Sequence, residues 1–420
     1  MLFDRLMRRR DVEGRFGRMR NGTVTLGRYE LLQPLGVGGM AQVFKARALG
    51  PGGFRRDVVV KRILPEHGRD SEFIRMFVDE AKILGLLHHP NIVQVYDFGE
   101  DNGVLFLALE YVEGPSLSRV LRTLRGANKR MPPAIAAFVA REICRALACV
   151  HELRDEKGRP LGAIHRDVTP SNVILTPAGE VKLLDFGVAT FKDALQATKS
   201  GTVKGKPAYL APEQLEGKPI DGRVDVFALG IVMHEMLTLQ HLFAGDSDLG
   251  TVKQILEMEI PSPAANRPDV PDALERIVMR ALERDREKRF ATAAEMAAAL
   301  DDFVVASKLH VDEVVTFVRA VADAAPPLPV LVAPAVVRRG RRARVQRFED
   351  DRAPARRRIA GSSPPRRRAR SIFSRTRAVV AISVTLAMLG VGTAFGLRAT
   401  VAGNSNHDAP KAAAASVQQR

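Results

Sequence analysis

Two aspartates and an asparagine follow short apolar runs in the middle of the chain, at positions where strands would end. Asp167 stands in His-Arg-Asp, Asn172 comes five residues later, and Asp185 begins Asp-Phe-Gly. Carboxylate and amide oxygens are ligands that Mg²⁺ prefers, and a carboxylate can accept the proton of an attacking hydroxyl. Each residue taken alone also fits an ordinary turn. Together, and in this order, they predict chemistry on a Mg²⁺–nucleotide.

A glycine-rich stretch and a lysine–glutamate pair nearer the N-terminus could complete such a site. Residues 36–39, Gly-Val-Gly-Gly, lie between two strand-like runs, where backbone N–H groups can approach phosphate closely. Alone, this stretch is more typical of a hairpin turn, and it is not a Rossmann fingerprint because a strand follows it. Lys61 ends the apolar run 58–60, and Glu80 lies on a helical pattern from which it can turn toward Lys61. Seen singly, both would be solvated surface charges.

The apolar pattern changes midway along the chain, which predicts two lobes. Residues 29–112 show short strand-like runs interrupted by a single helical pattern over 73–84. Later, one hairpin-like pair of runs occurs at 173–175 and 181–184. Long helical patterns dominate that part of the chain, at 133–152, 225–238, 271–283 and 292–303. The sequence therefore predicts a small β-rich lobe followed by a larger helical lobe.

The motifs and their order resemble those of the eukaryotic-like protein kinases, particularly the membrane-anchored serine/threonine kinases of bacteria. The resemblance covers residues 29–305 and is highly specific, because several motifs match at once. They are the Gly-rich stretch from Gly36, the strand lysine Lys61, His-Arg-Asp-x-x-x-x-Asn at 165–172, Asp-Phe-Gly at 185–187 and Ala-Pro-Glu at 211–213. The resemblance implies an α+β, bilobal fold, with a small antiparallel β-sheet and one helix in the N-lobe and a larger, mainly α-helical C-lobe. It also implies transfer of the γ-phosphate of Mg²⁺-ATP to serine or threonine hydroxyls of protein substrates.

The same resemblance implies a role for each matching residue. Asp167 would orient the substrate hydroxyl and accept its proton, while Lys61 would hold the α- and β-phosphates and Glu80 would fix its ammonium. Asn172 and Asp185 would bind Mg²⁺. The residues expected to contact ATP are Gly36, Val37, Gly38, Gly39, Val43, Val59, Lys61, Ile174 and the backbone of Glu110 and Val112. The residues expected to hold the catalytic loops in place are Arg166, Glu213, Asp225 and Arg289, with Arg289 paired to Glu213.

Three positions depart from the family's pattern. Ala41 stands at the third glycine position, where another small residue implies little loss. Thr169 replaces a lysine that contacts the γ-phosphate in the family, so one expected contact is missing. Lys206 stands where a threonine is usual, beside the substrate-facing loop. None of these changes produces the tyrosine-kinase pattern, and Pro170 favours serine/threonine specificity.

The resemblance also implies control by phosphorylation of the activation segment, which runs from Asp185 to Glu213, because kinases with an arginine directly before the catalytic aspartate, here Arg166, often use it to bind a phosphate on that segment. A guanidinium pairs strongly with a phosphate, and such a pair would order the segment. The plain alternative is that the hydroxyls of this segment are ordinary loop residues. The candidate phosphorylation sites are Thr198, Ser200 and Thr202.

The formal charge of +16 lies mostly outside the predicted kinase domain. Residues 338–377 hold 16 arginines against three acidic residues, whereas residues 21–337 are slightly acidic, so no nucleic-acid-binding face is expected on the folded part. The prolines, glycine and serines of that Arg-rich stretch predict a disordered linker. Nucleic-acid binding by this linker is a rival function, but it holds few aromatics and runs straight into an apolar segment. Attraction to anionic lipid explains it more simply.

Residues 378–397 are twenty uncharged, mostly apolar residues, long enough to cross a bilayer as a helix. Arginines cluster before this segment and only Arg398 follows it directly, which predicts a single-pass protein of the inner cell membrane with its kinase domain in the cytoplasm. Gly392 and Gly396 form a G-x-x-x-G motif that would favour a homodimer. No apolar segment opens the chain, so no cleaved signal peptide is expected.

The predicted division of the chain follows from these features. It comprises a flexible basic N-terminus (1–27), a kinase domain (28–305, with lobes at 28–112 and 113–305), a helical extension leading into the Arg/Pro-rich linker (306–377), a transmembrane helix (378–397) and a short exterior tail (398–420). Cys144 and Cys149, five residues apart on a helical pattern, are predicted to be reduced. The alternative to an enzyme is a nucleotide-binding pseudokinase scaffold at the membrane, against which the intact set of catalytic residues argues.

Overall fold

A single antiparallel sheet forms most of the N-terminal lobe in the computed structural model, which describes residues 18–20, 23–38, 41–64, 67, 70–185 and 207–324. Its strands lie in the order β1-β2-β3-β4-β5-β7-β6, and helix α1 (Ser71–Leu86) connects β5 to β6. The strands are β1 (Arg18–Arg20), β2 (Thr23–Leu26), β3 (Tyr29–Val37), β4 (Ala41–Leu49), β5 (Arg55–Ile63), β6 (Val95–Asp101) and β7 (Val104–Glu110).

Alternation along β5 decides which side chains reach the cleft below the sheet. Val58 and Val60 are buried on one face with the apolar residues of β2, β3 and β4. Val59 and Lys61 therefore lie on the opposite face, because successive side chains of a strand point to opposite sides. That face also carries Ile63 and packs against α1.

The folded lobe begins earlier in the chain than the sequence predicts. Strands β1 and β2 lie within the stretch 1–27 that was expected to be a flexible terminus, and the division at residue 28 is corrected accordingly. The reason is apolar burial, since Val24 and Leu26 pack into the same cluster as Tyr29. Two apolar residues in a short strand are too weak a pattern to stand out in a basic terminus.

The C-terminal lobe is built around one almost wholly buried helix, α5 (Arg223–Thr238). Burial on all sides explains its nearly continuous apolar sequence. Helix α3 (Pro133–His151) packs against it, and so do later helices of the lobe. The remaining helices are α2 (Leu117–Gly126), α4 (Pro212–Leu215), α6 (Asp248–Glu257), α7 (Pro263–Asn266), α8 (Asp272–Ala281), α9 (Ala293–Ala306) and α10 (Val311–Ala324).

A short hairpin, β8 (Val173–Leu175) with β9 (Val181–Leu183), lies at the junction with the N-terminal lobe and confirms the predicted pair of runs. The chain leaving β7 runs against it, and the Leu175 N–H donates to the Pro115 carbonyl at 3.1 Å. The approach requires a glycine at 114, where φ is +150° and a Cβ would lie 2.1 Å from the Leu175 carbonyl oxygen. The chain that leaves the N-terminal lobe is thus held closely against this hairpin.

Several predicted segments lie outside the described residues. They include the candidate phosphorylation sites Thr198, Ser200 and Thr202, the Arg-rich linker, the predicted transmembrane helix 378–397 and the tail 398–420. Within the described ranges, no helix is long and apolar enough to cross a membrane. The N-lobe sheet and the helical C-lobe confirm the predicted bilobal α+β fold.

Candidate active site

The ammonium of Lys61 lies between carboxylates from both lobes. Its Nζ atom is 2.7 Å from Oε1 of Glu80 on α1 and 3.0 Å from Oδ1 of Asp185, which follows β9. Glu80 is almost completely buried and 13% of the Lys61 side chain is exposed, whereas 40% of the Asp185 side chain is exposed. The predicted pairing of Lys61 with Glu80 is confirmed, and Asp185 joins it.

The two carboxylates around Lys61 stabilise its positive charge. Burial alone would lower the pKa of Lys61, but the negative charges of Asp185 and Glu80 outweigh burial and raise it. Burial and the charge of Asp185 raise the pKa of Glu80, against the effect of Lys61. The lysine is therefore firmly cationic. A buried cation that lies at the edge of a cleft is suited to hold an anionic group such as a phosphate.

The loop that carries Asp167 is held from behind by Asp225, at the start of α5. Its carboxylate accepts the backbone N–H groups of His165 (2.9 Å) and Arg166 (2.8 Å) and lies 2.7 Å from Nε2 of His151 on α3. Burial would raise the pKa of Asp225, but the hydrogen bond and charge of His151, with further contributions from His165 and the Arg166 N–H, hold it below its ordinary value. The buried aspartate predicted at this position is confirmed.

His165 connects the two loops of the site through its imidazole ring. Its Nδ1 atom accepts the Asp167 N–H at 3.3 Å, so Nε2 carries the proton and donates to the Leu184 carbonyl at 3.0 Å. Burial lowers the pKa of His165, which favours this neutral form. Arg166 and Asp185, on the two connected loops, both have positive φ values, +67° and +40°. Such strained backbone is typical of functional sites.

Asp167 and Asn172 lie together on one loop. The Asn172 amide Nδ2 donates to the Asp167 carbonyl oxygen at 2.9 Å and to its Oδ2 atom at 2.6 Å. The Asn172 carbonyl accepts the Leu184 N–H at 2.8 Å, which brings Asn172 next to Asp185. The structure thus brings together the three predicted polar residues. Thr169, in place of the family's lysine, is buried and not exposed to the cleft.

A cavity of about 690 Å³ opens between the lobes beside this cluster. Val43 and Val59 line it from the sheet and Ile174 from the hairpin, as predicted, and Lys61 and Asp185 stand at one end. The size and mainly apolar wall suit a nucleotide base and sugar. Sequence reasoning missed other residues of the wall, among them Leu35, Leu84, Leu109 and Leu184. Leu35 could have been found, because it directly precedes the Gly-rich stretch.

The segment after β7 forms the back edge of the cavity. Glu110, Tyr111 and Val112 line it, as expected for backbone contacts with adenine. The Glu110 side chain turns away and binds Lys182 of β9 at 3.0 Å, a pair across the lobes that the sequence did not indicate. Among the described residues, the Val112 N–H has no backbone acceptor.

The Gly-rich turn lies beyond the cavity wall, at the tip of the hairpin formed by β3 and β4. The Gly38 N–H donates to the Ala41 carbonyl at 2.8 Å, and Val37 is 62% exposed. A Cβ atom at Gly36 would meet no atom within 4 Å. None of these residues lines the cavity itself, and the expected contacts of Gly36, Val37 and Gly38 with ATP stay predictions. Gly39 lies outside the described residues.

Arg289 and Glu213 form the predicted ion pair, deep in the C-terminal lobe. Two parallel contacts of 2.7 and 2.9 Å join the guanidinium to the carboxylate, and both side chains are almost completely buried. The carbonyls of Arg223, Glu283 and Arg284 accept the remaining donors of Arg289. The pair fixes the end of the activation segment, because Glu213 lies in the short helix α4 that follows it.

The donor set fits a magnesium ion that is shared with a nucleotide. Asp185 and Asn172 provide carboxylate and amide oxygens on neighbouring loops, and Mg²⁺ bound with nucleotides usually takes one or two protein carboxylates plus phosphate oxygens. Within the part of the chain that the structure describes, no cluster of three or more His, Cys, Asp or Glu side chains could hold a metal by itself.

These features together define the active site of a protein kinase. Residues 29–300 match the protein kinase domain family, and the chain belongs to that family. Its fold is similar to that of the kinase domain of Mycobacterium tuberculosis PknI, solved as a double mutant. The TM-score is 0.52 and the sequence identity 27%, over 67% of this chain and 98% of that domain.

Curated relatives match the same part of the chain. The chain is 41% identical over 278 residues to "Tyrosine-protein kinase MasK" of Myxococcus xanthus. This match covers 66% of this chain and 43% of that protein. It is 34% identical over 284 residues to "Serine/threonine-protein kinase PrkC" of Bacillus subtilis, a match that covers 68% of this chain and 42% of that protein. It is 37% identical over 278 residues to "Serine/threonine-protein kinase PknB" of Mycobacterium leprae, a match that covers 65% of this chain and 42% of that protein. The matches therefore span less than half the length of these relatives.

The position of Asp225 predicts that Asp225→Asn lowers the free energy of unfolding by about 3 kcal/mol at pH 7, because the buried network loses a negative charge and one of the two oxygens that accept backbone N–H groups. The pKa of this carboxyl is lowered in the fold, so its contribution is present above the ordinary value and is lost as the pH falls below it. The difference between variant and wild type should therefore shrink below about pH 4.

Urea unfolding followed by circular dichroism from pH 3 to 8 measures this difference. Asp302→Asn is the matched control, since Asp302 is an exposed aspartate on α9 and its variant should stay within about 0.5 kcal/mol of wild type. Equal stability of Asp225→Asn and Asp302→Asn would show that Asp225 does not anchor the loop.

Proposed function

We propose that this chain is an ATP-dependent protein kinase that transfers the γ-phosphate of Mg²⁺-ATP to serine or threonine hydroxyls of proteins. The observation that carries the proposal is the Lys61 ammonium, held at 2.7 and 3.0 Å between Glu80 and Asp185 at one end of a nucleotide-sized cavity. A nucleotide-binding pseudokinase scaffold would use the same cation, and the feature that favours an enzyme over it is Asp167, whose carboxylate lies 2.6 Å from the Asn172 amide.

Each residue then acts on a different part of the reactants. Val43, Val59 and Ile174 would enclose adenine, and the backbone of Glu110 and Val112 would hydrogen-bond its edge. Lys61 would hold the α- and β-phosphates, while the Gly-rich turn covers them. Asn172 and Asp185 would hold Mg²⁺, which neutralises charge on the phosphates when bound.

Asp167 would act on the acceptor hydroxyl. As the hydroxyl oxygen forms its bond to the γ-phosphorus, the bond from that phosphorus to the β-phosphate oxygen breaks, and ADP leaves with the electron pair. The hydroxyl proton passes to the Asp167 carboxylate, which Asn172 holds in place through a bond of 2.6 Å. The chain's contribution is mainly positioning and electrostatic stabilisation.

The acceptor is the point on which the relatives differ. Pro170 and the relatives named serine/threonine kinases support a serine or threonine hydroxyl. A tyrosine hydroxyl is the second candidate, because MasK is named a tyrosine kinase and is 41% identical to this chain. Incubation of the full chain with labelled ATP, Mg²⁺ and a basic protein, followed by phosphoamino-acid analysis, distinguishes the two.

The same experiment tests regulation by autophosphorylation. We place the candidate sites at Thr198, Ser200 and Thr202, with Arg166 as the partner for a phosphate on this segment. Mapping the phosphorylated residues of the chain itself would identify which of the three carries phosphate. A chain that phosphorylates other proteins but none of these residues would contradict this part of the proposal.

For the catalytic step, we expect Asp167→Asn to lower kcat by at least about 100-fold and to leave the affinity for Mg²⁺-ATP within about threefold of wild type. The reason is that Asp167 acts on the hydroxyl, whereas Lys61 and Asp185 act on the nucleotide. An asparagine oxygen can still accept the Asn172 amide, so the loop should keep its shape. Initial rates with labelled ATP and equilibrium dialysis measure the two quantities.

Asp302→Asn again serves as the control and should have wild-type kcat. Near-normal turnover by purified Asp167→Asn would rule out the assigned role. Normal turnover with a 100-fold loss of nucleotide affinity would instead assign Asp167 a role in nucleotide binding.

We also propose that residues 378–397 anchor the chain in the inner cell membrane with the kinase domain in the cytoplasm. The support is the length of the uncharged segment and the arginines before it. Residues 338–377 would contact anionic lipid, and the G-x-x-x-G motif would favour a homodimer.

Protease added to spheroplasts that express the full chain should remove only a tail of about 2 kDa and leave the kinase domain intact. The size of that tail follows from the 23 residues after the apolar segment. Lysed spheroplasts are the control, in which the domain becomes accessible. Recovery of the intact protein in the soluble fraction, or digestion of the kinase domain from outside, would contradict the proposed topology.

A further inference from the structure

Helix α10 lies beyond residue 300, where the match to the kinase family ends, yet it is part of the folded C-terminal lobe. Val314, Val318 and Val321 recur on one face of this helix and are almost completely buried. They belong to the same hydrophobic cluster as the buried leucines of α2 and the core of the lobe. The helix packs against α2. Helix α2 follows the segment 110–112 after β7, which is called the hinge below.

The same helix contacts the turn of the hairpin that forms the floor of the cavity. At Gly179, φ is +85°, and a Cβ atom would lie 3.1 Å from Cγ2 of Val315. Nε of Arg319 donates to the Pro177 carbonyl at 3.2 Å. The turn between β8 and β9 is thus held by one apolar contact and one hydrogen bond from α10.

Both contacts are made to the hairpin whose strand β8 lines the nucleotide cavity. Ile174, on β8, lines the cavity. The N–H of its neighbour Leu175 donates to the carbonyl of Pro115, which follows the hinge in the chain. Arg119 and Thr123 of α2 also line it, and Ala324, at the end of α10, lies on the same wall. The helix therefore contacts two of the elements that shape the floor and the outer edge of this cavity.

We propose that α10 is a positioning element for nucleotide binding, which sets the affinity for ATP by holding the β8–β9 hairpin and α2 against the hinge. The inference rests on the proposed function, because it takes the cavity to be the nucleotide site. It goes beyond that function by assigning a role to residues outside the family's domain. Val318 and Arg319 are positioning residues here, since neither reaches the cavity.

A purely structural role would give a different result from a positioning role. If α10 only added apolar burial, shortening Val318 would lower the stability of the lobe and leave the bound nucleotide unaffected. If α10 positions the β8–β9 hairpin that forms the floor of the cavity, the same change would weaken nucleotide binding. The kcat would stay close to that of wild type, because Asp225 holds the loop that carries Asp167.

The experiment compares Val318→Ala and Arg319→Ala with the matched control Val305→Ala in the full chain. Val305 is a valine on the last turn of α9 with 70% of its surface exposed. For Val318→Ala we expect the Kd for Mg²⁺-ADP and the KM for ATP to rise together, about fivefold or more, with kcat within twofold of wild type. Arg319→Ala should shift both constants in the same direction by a smaller factor. Val305→Ala should match wild type.

Hydrogen exchange gives a second, direct measurement on the same proteins. Backbone amides of 173–175 should exchange faster in Val318→Ala than in Val305→Ala. Unchanged Kd and KM in Val318→Ala, with or without a loss of stability, would overturn the inference. Failure of the wild-type chain to bind Mg²⁺-ADP would instead overturn the proposed function, so the two failures are distinguishable.

Discussion

A single buried ammonium holds the active site together. Lys61 reaches from the sheet to Glu80 on α1 and to Asp185 after β9, so one cation connects the sheet, the helix and the C-terminal lobe. Removal of a charged ammonium group from water costs free energy, and only close, hydrogen-bonded carboxylates offset that cost. Because both carboxylates must lie within about 3 Å, the position of α1 and the path of the loop at Asp185 are fixed by the same charge.

The C-terminal lobe applies the same principle on its far side. Asp225 holds the catalytic loop by two backbone N–H groups, and Arg289 holds the end of the activation segment through Glu213. Both are buried charges whose hydrogen-bonding groups find partners in the lobe. Since α5 carries Asp225 and is almost wholly buried, the core of the lobe positions the loop that carries Asp167.

Sequence reasoning succeeded where a short motif carries the chemistry. The pairing of Lys61 with Glu80 and of Glu213 with Arg289 was predicted from the resemblance to the kinase family, and so was a site shared by Asp167, Asn172 and Asp185. Contacts that involve residues outside the matching positions were not predicted, such as His151 with Asp225 and Lys182 with Glu110. Nothing in the local pattern of a helix indicates which distant carboxylate its histidine will meet. The packing of α10 was missed for the same reason, because an amphipathic pattern predicts a buried face but does not identify the surface that covers it.

The nucleotide-binding role of Lys61 can be tested by separating charge from shape. Wild type and Lys61→Met are titrated with Mg²⁺-ATP and with adenosine, which has the same base and sugar but no phosphate. The methionine side chain keeps much of the apolar stem of lysine and removes the cation. The account predicts that Lys61→Met binds Mg²⁺-ATP at least about tenfold more weakly, which is roughly the 1.4 kcal/mol expected for one lost charge-assisted contact, and binds adenosine as wild type does. Equal loss for both ligands, or unchanged binding of Mg²⁺-ATP, would contradict it.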